Sequence, residues 1–249
     1  MPLPAHLDID KIASVVWSCT TKALGGWLKG APRDETAFIN RLTEQLGATR
    51  KGCDVGLDKR VVVKSRVAVL HRQGPKATDL FGSDLAVTVM TEPGNFTKTA
   101  IFQVKKGNDF KALFERHQLQ DALNHPQAAS RSFVLYIDEG RTGVRLQPAK
   151  EVLGKFKNEA QTLTTSVADW MPLHSWLSEW LGCRIGVPSD LGSPDAIETV
   201  LADYEDTHPI ATLDSAGEPL PSSAWLLFGM APSLADLYRH PFGRMLDQP

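Results

Sequence analysis

Phe133-Val134-Leu135-Tyr136-Ile137 is an unbroken apolar run of β-prone residues. A strand that is apolar at every position must be covered on both faces, so the run predicts a buried central strand. The chain upstream supplies neighbours for it. Val61, Val63, Val67 and Val69 mark a long strand, residues 85–90 a second and residues 100–104 a third. The turn-rich stretch Thr91-Glu92-Pro93-Gly94-Asn95 separates the second from the third. Hydrophobic residues make up 42% of the 249, enough for a packed core and against global disorder.

Helical periodicity frames these strands. Ile9, Ile12, Val15, Val16, Leu24, Trp27 and Leu28 recur at helical spacing over residues 8–30, with Gly25-Gly26 as the expected stop. A second helix follows Pro32, with Asp34 as its cap, a stripe of Phe38, Ile39, Leu42 and Leu46, and Gly47 as its stop. Residues 109–123 return to a helical period through Phe110, Leu113, Phe114, Leu119 and Leu123, ending at His125-Pro126. Residues 144–146 add a short strand, and Pro148 opens a helix to about residue 159. The expected fold is therefore α/β: a mixed sheet flanked by helices over residues 1–160. Residues 161–249 read as a mostly helical, acidic extension, packed on the sheet domain or serving as a docking region. Its helices are expected around Leu173, Trp176, Leu177, Trp180 and Leu181, over 195–204 and over 233–238.

The net charge of -2 conceals a division. Residues 1–160 hold 24 Lys+Arg against 17 Asp+Glu, and residues 161–249 hold 3 against 12. A basic segment suits a polyanionic partner, and an acidic tail repels one. Two solvated faces of opposite bias would give the same count. No apolar run approaches the ~20 residues of a membrane span, and the N-terminal residues do not read as a signal peptide. Cys19, Cys53 and Cys183 are far apart, make no zinc pattern and fit buried thiols in a reducing cytosol. The histidines show no metal-binding spacing, and no nucleophile elbow or P-loop appears.

Chemistry concentrates on the second and third strands. Gly82-Ser83-Asp84 opens one, and Gln103-Val104-Lys105 lies on the next. Residues i and i+2 share a strand face, so Gln103 and Lys105 point to one side and Val104 to the other, where it packs. Adjacent strands then bring a carboxylate, a side-chain amide, a main-chain carbonyl and an ammonium to one sheet edge. Hard cations take oxygen ligands, and Mg²⁺ needs only one or two carboxylates. Taken singly, Asp84 reads as a strand-edge cap and Lys105 as an ordinary charge leaving the sheet. Only the joint placement of strand, turn, strand and helix carries the reading.

On these residues the chain resembles the PD-(D/E)XK nuclease superfamily, with its restriction-endonuclease-like fold. The match covers about residues 30–147 and runs through Glu35 on an early helix, Asp84, Gln103-Val104-Lys105 and a following helix with Gln118. It is similar to the D…QxK variant found in Mrr-type restriction enzymes and antiphage effector nucleases. Ser83 stands where a proline often precedes the aspartate, and Gln103 stands where many relatives carry a carboxylate. The resemblance implies an endonuclease dependent on Mg²⁺ or Mn²⁺. Asp84, Gln103, Val104 and Glu35 would be its metal ligands, and Lys105 would orient or help deprotonate the attacking water. Gln118 matches a glutamine used by a related branch, although with Gln120 it also reads as a surface residue. Lys106, Lys111, Arg116 and His117 beside the site are candidate phosphate contacts. So are Lys64 and Arg66, within a basic band of Arg50, Lys51, Lys59, Arg60, Arg72 and Lys76.

DNA is the expected partner, with the double-stranded form favoured and RNA left open, and the location cytoplasmic. A sensor or ATPase bound through the C-terminal region, or a homo-oligomer, is compatible with the resemblance. The competing reading is an inactive nuclease-fold module that binds nucleic acid or a partner in a defence complex.

Overall fold

The computed structural model describes residues 9–30, 34–48, 62–70, 80–92, 96–126, 128–140, 143–157, 160–186, 212–213, 219–220 and 223–228. In chain order the elements are α1 (Ile9–Lys29), α2 (Glu35–Ala48), β1 (Val62–Val69), β2 (Leu85–Glu92), β3 (Thr97–Gly107) and β4 (Lys111–Glu115). Then come α3 (Arg116–Asn124), β5 (Ser132–Asp138), β6 (Val144–Pro148), α4 (Ala149–Leu153), β7 (Thr162–Ser166) and β8 (Met171–Pro172). The last are α5 (Leu173–Leu181), β9 (Thr212–Leu213), β10 (Pro219–Leu220) and β11 (Ser223–Phe228).

Seven strands form one mixed sheet in the order β11-β1-β2-β3-β5-β6-β8. Only β3 and β5 run parallel, and every other pair is antiparallel. The apolar run is β5, buried at every residue between β3 and β6. Strand alternation divides the side chains. Leu85, Phe102, Val104, Phe133, Leu135 and Leu146 face α1, α2 and α5 in the main core. Val134 and Tyr136 face the other way, into a second core with Phe114, Leu119, Val152 and Trp170.

Helix α1 does not stop at Gly25-Gly26 but continues to Lys29. Trp27 explains this: it is fully buried, its indole N–H donates to the Asp34 carbonyl (2.9 Å), and its ring meets Phe38 edge-on at 6.2 Å. That packing outweighs the modest helical cost of two glycines. Helix α2 begins as expected, with the Ala37 N–H donating to Asp34 Oδ1 (2.7 Å). Asp34→Ala should remove about 1 kcal/mol of stability, read as a lowered urea midpoint at unchanged slope. An unchanged midpoint would show that the cap contributes nothing.

The helix expected over 109–123 is two elements. Residues 111–115 form β4, whose alternating exposed and buried side chains pair antiparallel with β7, and only 116–124 are helical. A tight turn of left-handed Asp109 and Phe110 precedes β4. Gly107 permits it, because a Cβ there would lie 1.9 Å from the Lys111 carbonyl oxygen. The helix after Pro148 is shorter than expected, ending at Leu153.

The mostly helical reading of 161–249 is corrected for the described residues. They hold one helix, α5, beside β7, β8, β9, β10 and β11. Two of these strands extend the main sheet: β11 pairs with β1 at one edge, and β8 with β6 at the other. The helices expected over 195–204 and 233–238 lie outside the described residues. The Trp176/Trp180 stripe is core, its rings stacked at 5.1 Å. Lys98 locks the end of α5 to β3: its buried ammonium donates to the carbonyls of Trp180 (2.5 Å) and Ile185 (2.9 Å). Burial pushes this lysine below its ordinary value, and neighbouring Cys183 opposes the shift. Cys19 is buried and Cys183 half-buried, neither in a disulfide among the described residues, and Cys53 lies outside the described residues.

Candidate active site at the free edge of β3

Strand β3 is longer than its neighbour β2. Their ladder ends at Leu85 opposite Phe102, so β3 runs on from residue 103 with its β2-facing edge unpaired by strand. Side chains occupy that edge. The Val104 N–H donates to Asp84 Oδ2 (2.7 Å), and the Lys106 N–H donates to Glu35 Oε1 (3.3 Å). The two carboxylates thus reach amides two residues apart, roughly 7 Å along a strand. Asp84 is itself set by the ladder, its N–H donating to the Phe102 carbonyl (2.9 Å). Continuing the register places Asp84 directly across from Gln103. Glu35 arrives from the first turn of α2, which Phe38 and Ile39 fix in the main core.

The N–H and C=O of one strand residue leave by the same edge. Since the Val104 N–H meets Asp84, the Val104 carbonyl faces that edge too. Its side chain is buried in the main core. Gln103 and Lys105 project from the opposite face, toward α3. Both donate to one atom: Gln118 Oε1 accepts from Gln103 Nε2 (2.7 Å) and from Lys105 Nζ (2.8 Å). Gln118 is therefore not a surface glutamine, whereas Gln120 is exposed. Gln103 is 3% exposed, and its Oε1 is buried without a hydrogen-bond partner.

An orphaned buried amide oxygen is costly, and a cation ligand would relieve it. Two carboxylates, an amide oxygen and a main-chain carbonyl are the donor types that Mg²⁺ or Mn²⁺ takes. Among the described residues, no group of three or more His, Cys, Asp or Glu is gathered as a metal cluster. The set at β3 depends on its neutral oxygens.

Beside Lys105, in register on β5, stands Tyr136. Its hydroxyl donates to Asp138 Oδ2 (3.0 Å). The fully buried Asp138 carboxylate also accepts the Phe110 N–H (2.9 Å) and the Gly140 N–H (2.9 Å), so it pins the turn between β3 and β4. Nothing in the local sequence distinguished this aspartate, because its partners come from separate turns. Burial first, and then the hydrogen bond to Asp138, raise the Tyr136 phenol above its ordinary value. The folded chain holds that proton more tightly than the unfolded chain does. Its stabilising contribution is complete below about pH 10 and lost as pH rises beyond it. Tyr136→Phe should cost about 1–3 kcal/mol at neutral pH and flatten the alkaline loss. Urea midpoints near pH 9 and pH 11 check this; an equal alkaline loss in the variant would contradict it.

The expected phosphate contacts divide. Lys111 is exposed. Lys106 pairs with Glu139 (3.4 Å), and His117 with Glu115 (3.6 Å). Arg116 donates to the Ala160 carbonyl (2.7 Å) and lies over the Phe156 ring, which ties it into the second core. The side chains of Lys64 and Arg66, and the rest of the basic band, lie outside the described residues. No described helix is long and apolar enough to cross a membrane.

No family model, no curated protein and no solved structure matches this chain.

Proposed function

We infer that this chain is a metal-dependent endonuclease hydrolysing phosphodiester bonds of DNA, a D…QxK variant on a restriction-endonuclease-like fold. One observation carries the reading. Gln103 and Lys105 converge on Gln118 across the ladder from Asp84, and the Gln103 amide oxygen is left buried and unpartnered.

Asp84, Glu35, Gln103 Oε1 and the Val104 carbonyl would hold the cation. When bound, Mg²⁺ or Mn²⁺ supplies Lewis acidity to a phosphate oxygen and a more acidic water. Lys105 keeps its ammonium next to the reacting phosphate, where it stabilises growing negative charge and orients the water. Gln118 holds Lys105 and Gln103 at fixed separation. Exposed Lys111 would be a phosphate contact. The same resemblance supports a role as an effector of antiphage defence in the cytoplasm, with the C-terminal region docking a sensor or ATPase.

A second reading, a nuclease-fold module without activity, draws on the neutral Gln103 at a position where a carboxylate would bind the ion more tightly. Supercoiled plasmid, linear duplex, single-stranded DNA and RNA, each with Mg²⁺, Mn²⁺ or EDTA, separate the two. The nuclease reading expects cutting of duplex DNA with either ion and none in EDTA. Salt-sensitive binding without cutting under any condition favours the inactive module.

A further inference from the structure

Phe81 and Gly82 are consecutive left-handed residues, with φ of 58° and 59°, just ahead of Asp84. This conformation is unfavourable for phenylalanine and must be held by its surroundings. Helix α3 and its C-cap residue His125 hold it. The Phe81 ring packs on His125 with centroids 4.4 Å apart. Gly82 lies against the helix backbone: a Cβ there would meet the Gln118 carbonyl oxygen at 2.8 Å and Asp121 Cβ at 2.9 Å. The turn therefore grips α3 near both ends, and one grip falls on Gln118, whose side chain holds Gln103 and Lys105.

We propose that Gly82 is a positioning residue for the divalent-cation site, its missing side chain setting the spacing between Asp84 and the Gln118–Lys105–Gln103 cluster. The proposal rests on the metal-site reading above. Neither obstructing atom is the loose end of a side chain, so an added methyl must displace α3 or the turn. Displacing either one moves the Asp84 carboxylate relative to the amide and ammonium. Metal–ligand distances tolerate only about 0.2 Å, and Mg²⁺ demands near-ideal geometry. A shift too small to disturb the cores is enough to weaken the site.

The test compares Gly82→Ala, Gly82→Asn and Leu146→Ala in the full chain. Asparagine accepts a left-handed backbone but still carries the obstructing Cβ, so it separates close approach from φ. Leu146→Ala truncates the core on β6 and leaves the turn untouched. Free Mn²⁺ measured by electron paramagnetic resonance gives the binding midpoint, and plasmid cleavage gives kcat and KM. Both Gly82 variants should raise the Mn²⁺ midpoint by about tenfold or more and lower kcat with little change in KM. Leu146→Ala should keep the parent's midpoint.

Parent-like Mn²⁺ binding by Gly82→Asn overturns the proposal, as does equal weakening by Leu146→Ala. If neither Gly82 variant folds, His125→Ala decides, because it unseats the Phe81 ring without adding an atom. A several-fold weaker midpoint supports the proposal, and an unchanged one overturns it. A parent chain that takes up no Mn²⁺ overturns the metal-site reading itself, and the proposal with it.

Discussion

Lys105→Ala should abolish metal-dependent DNA cleavage, lowering kcat at least about 100-fold, while the protein stays folded. The size follows from the position of the ammonium. Lys105 Nζ is 2.8 Å from Gln118 Oε1, on the face of β3 that also carries Gln103. On the proposed reading, this ammonium would meet charge developing on a phosphoryl group at the Asp84 edge. The fold survives because the lysine is half-buried, and Gln118 still accepts from Gln103. Lys105→Arg should restore little, since a planar guanidinium fork does not reproduce a compact point charge. Plasmid nicking with Mg²⁺, beside circular dichroism and a thermal melt, checks the pair. A folded Lys105→Ala protein that cuts like the parent would remove Lys105 from the site.

The second large effect concerns stability. Trp176→Ala should cost about 3 kcal/mol or more. The ring is 2% exposed and meets Phe102 at 5.3 Å, Phe133 at 5.0 Å and Trp180 at 5.1 Å. It also lines an apolar cavity of about 50 Å³ between α1, α5 and the sheet. Truncation enlarges an existing void, so the neighbours have little support for collapsing inward. The opposing contribution is smaller: the indole N–H has no acceptor, and losing an unsatisfied donor recovers about 1 kcal/mol. Trp176→Phe keeps a ring and removes that N–H, so it should fall much closer to the parent. Urea unfolding measures both. A loss under about 1 kcal/mol in the alanine variant would show that α5 is not integral to the main core.

These effects trace back unequally to the sequence. The β5 run, the β2 and β3 strands and the Asp34 cap are legible because short-range pattern decides each of them. Residues 109–115 misled because Phe110, Leu113 and Phe114 fit helical spacing equally well. What makes 111–115 a strand is pairing with β7, roughly fifty residues later. The same distance effect hid β11, which reaches back across most of the chain to pair with β1. Gly25-Gly26 looked like a stop because the buried contacts of Trp27 come from α2.

At the site, the strand rule placed Gln103 and Lys105 on one face, and that face is where Gln118 receives both. The inward turn of Gln118 was not legible. It depends on β4 ending at Glu115, so that α3 starts one turn from the site. The Phe81–Gly82 turn was equally hidden, since a lone glycine before a strand carries no sign of the helix pressed against it.

One cation should bind at the free edge of β3. Anomalous diffraction from crystals soaked in Mn²⁺ would locate it. A single strong peak is expected within about 2–2.5 Å of the Asp84 carboxylate and the Val104 carbonyl oxygen, absent from crystals of Asp84→Asn. A peak elsewhere on the chain, or none at about 10 mM Mn²⁺ (well above the affinity of a working site), would contradict it.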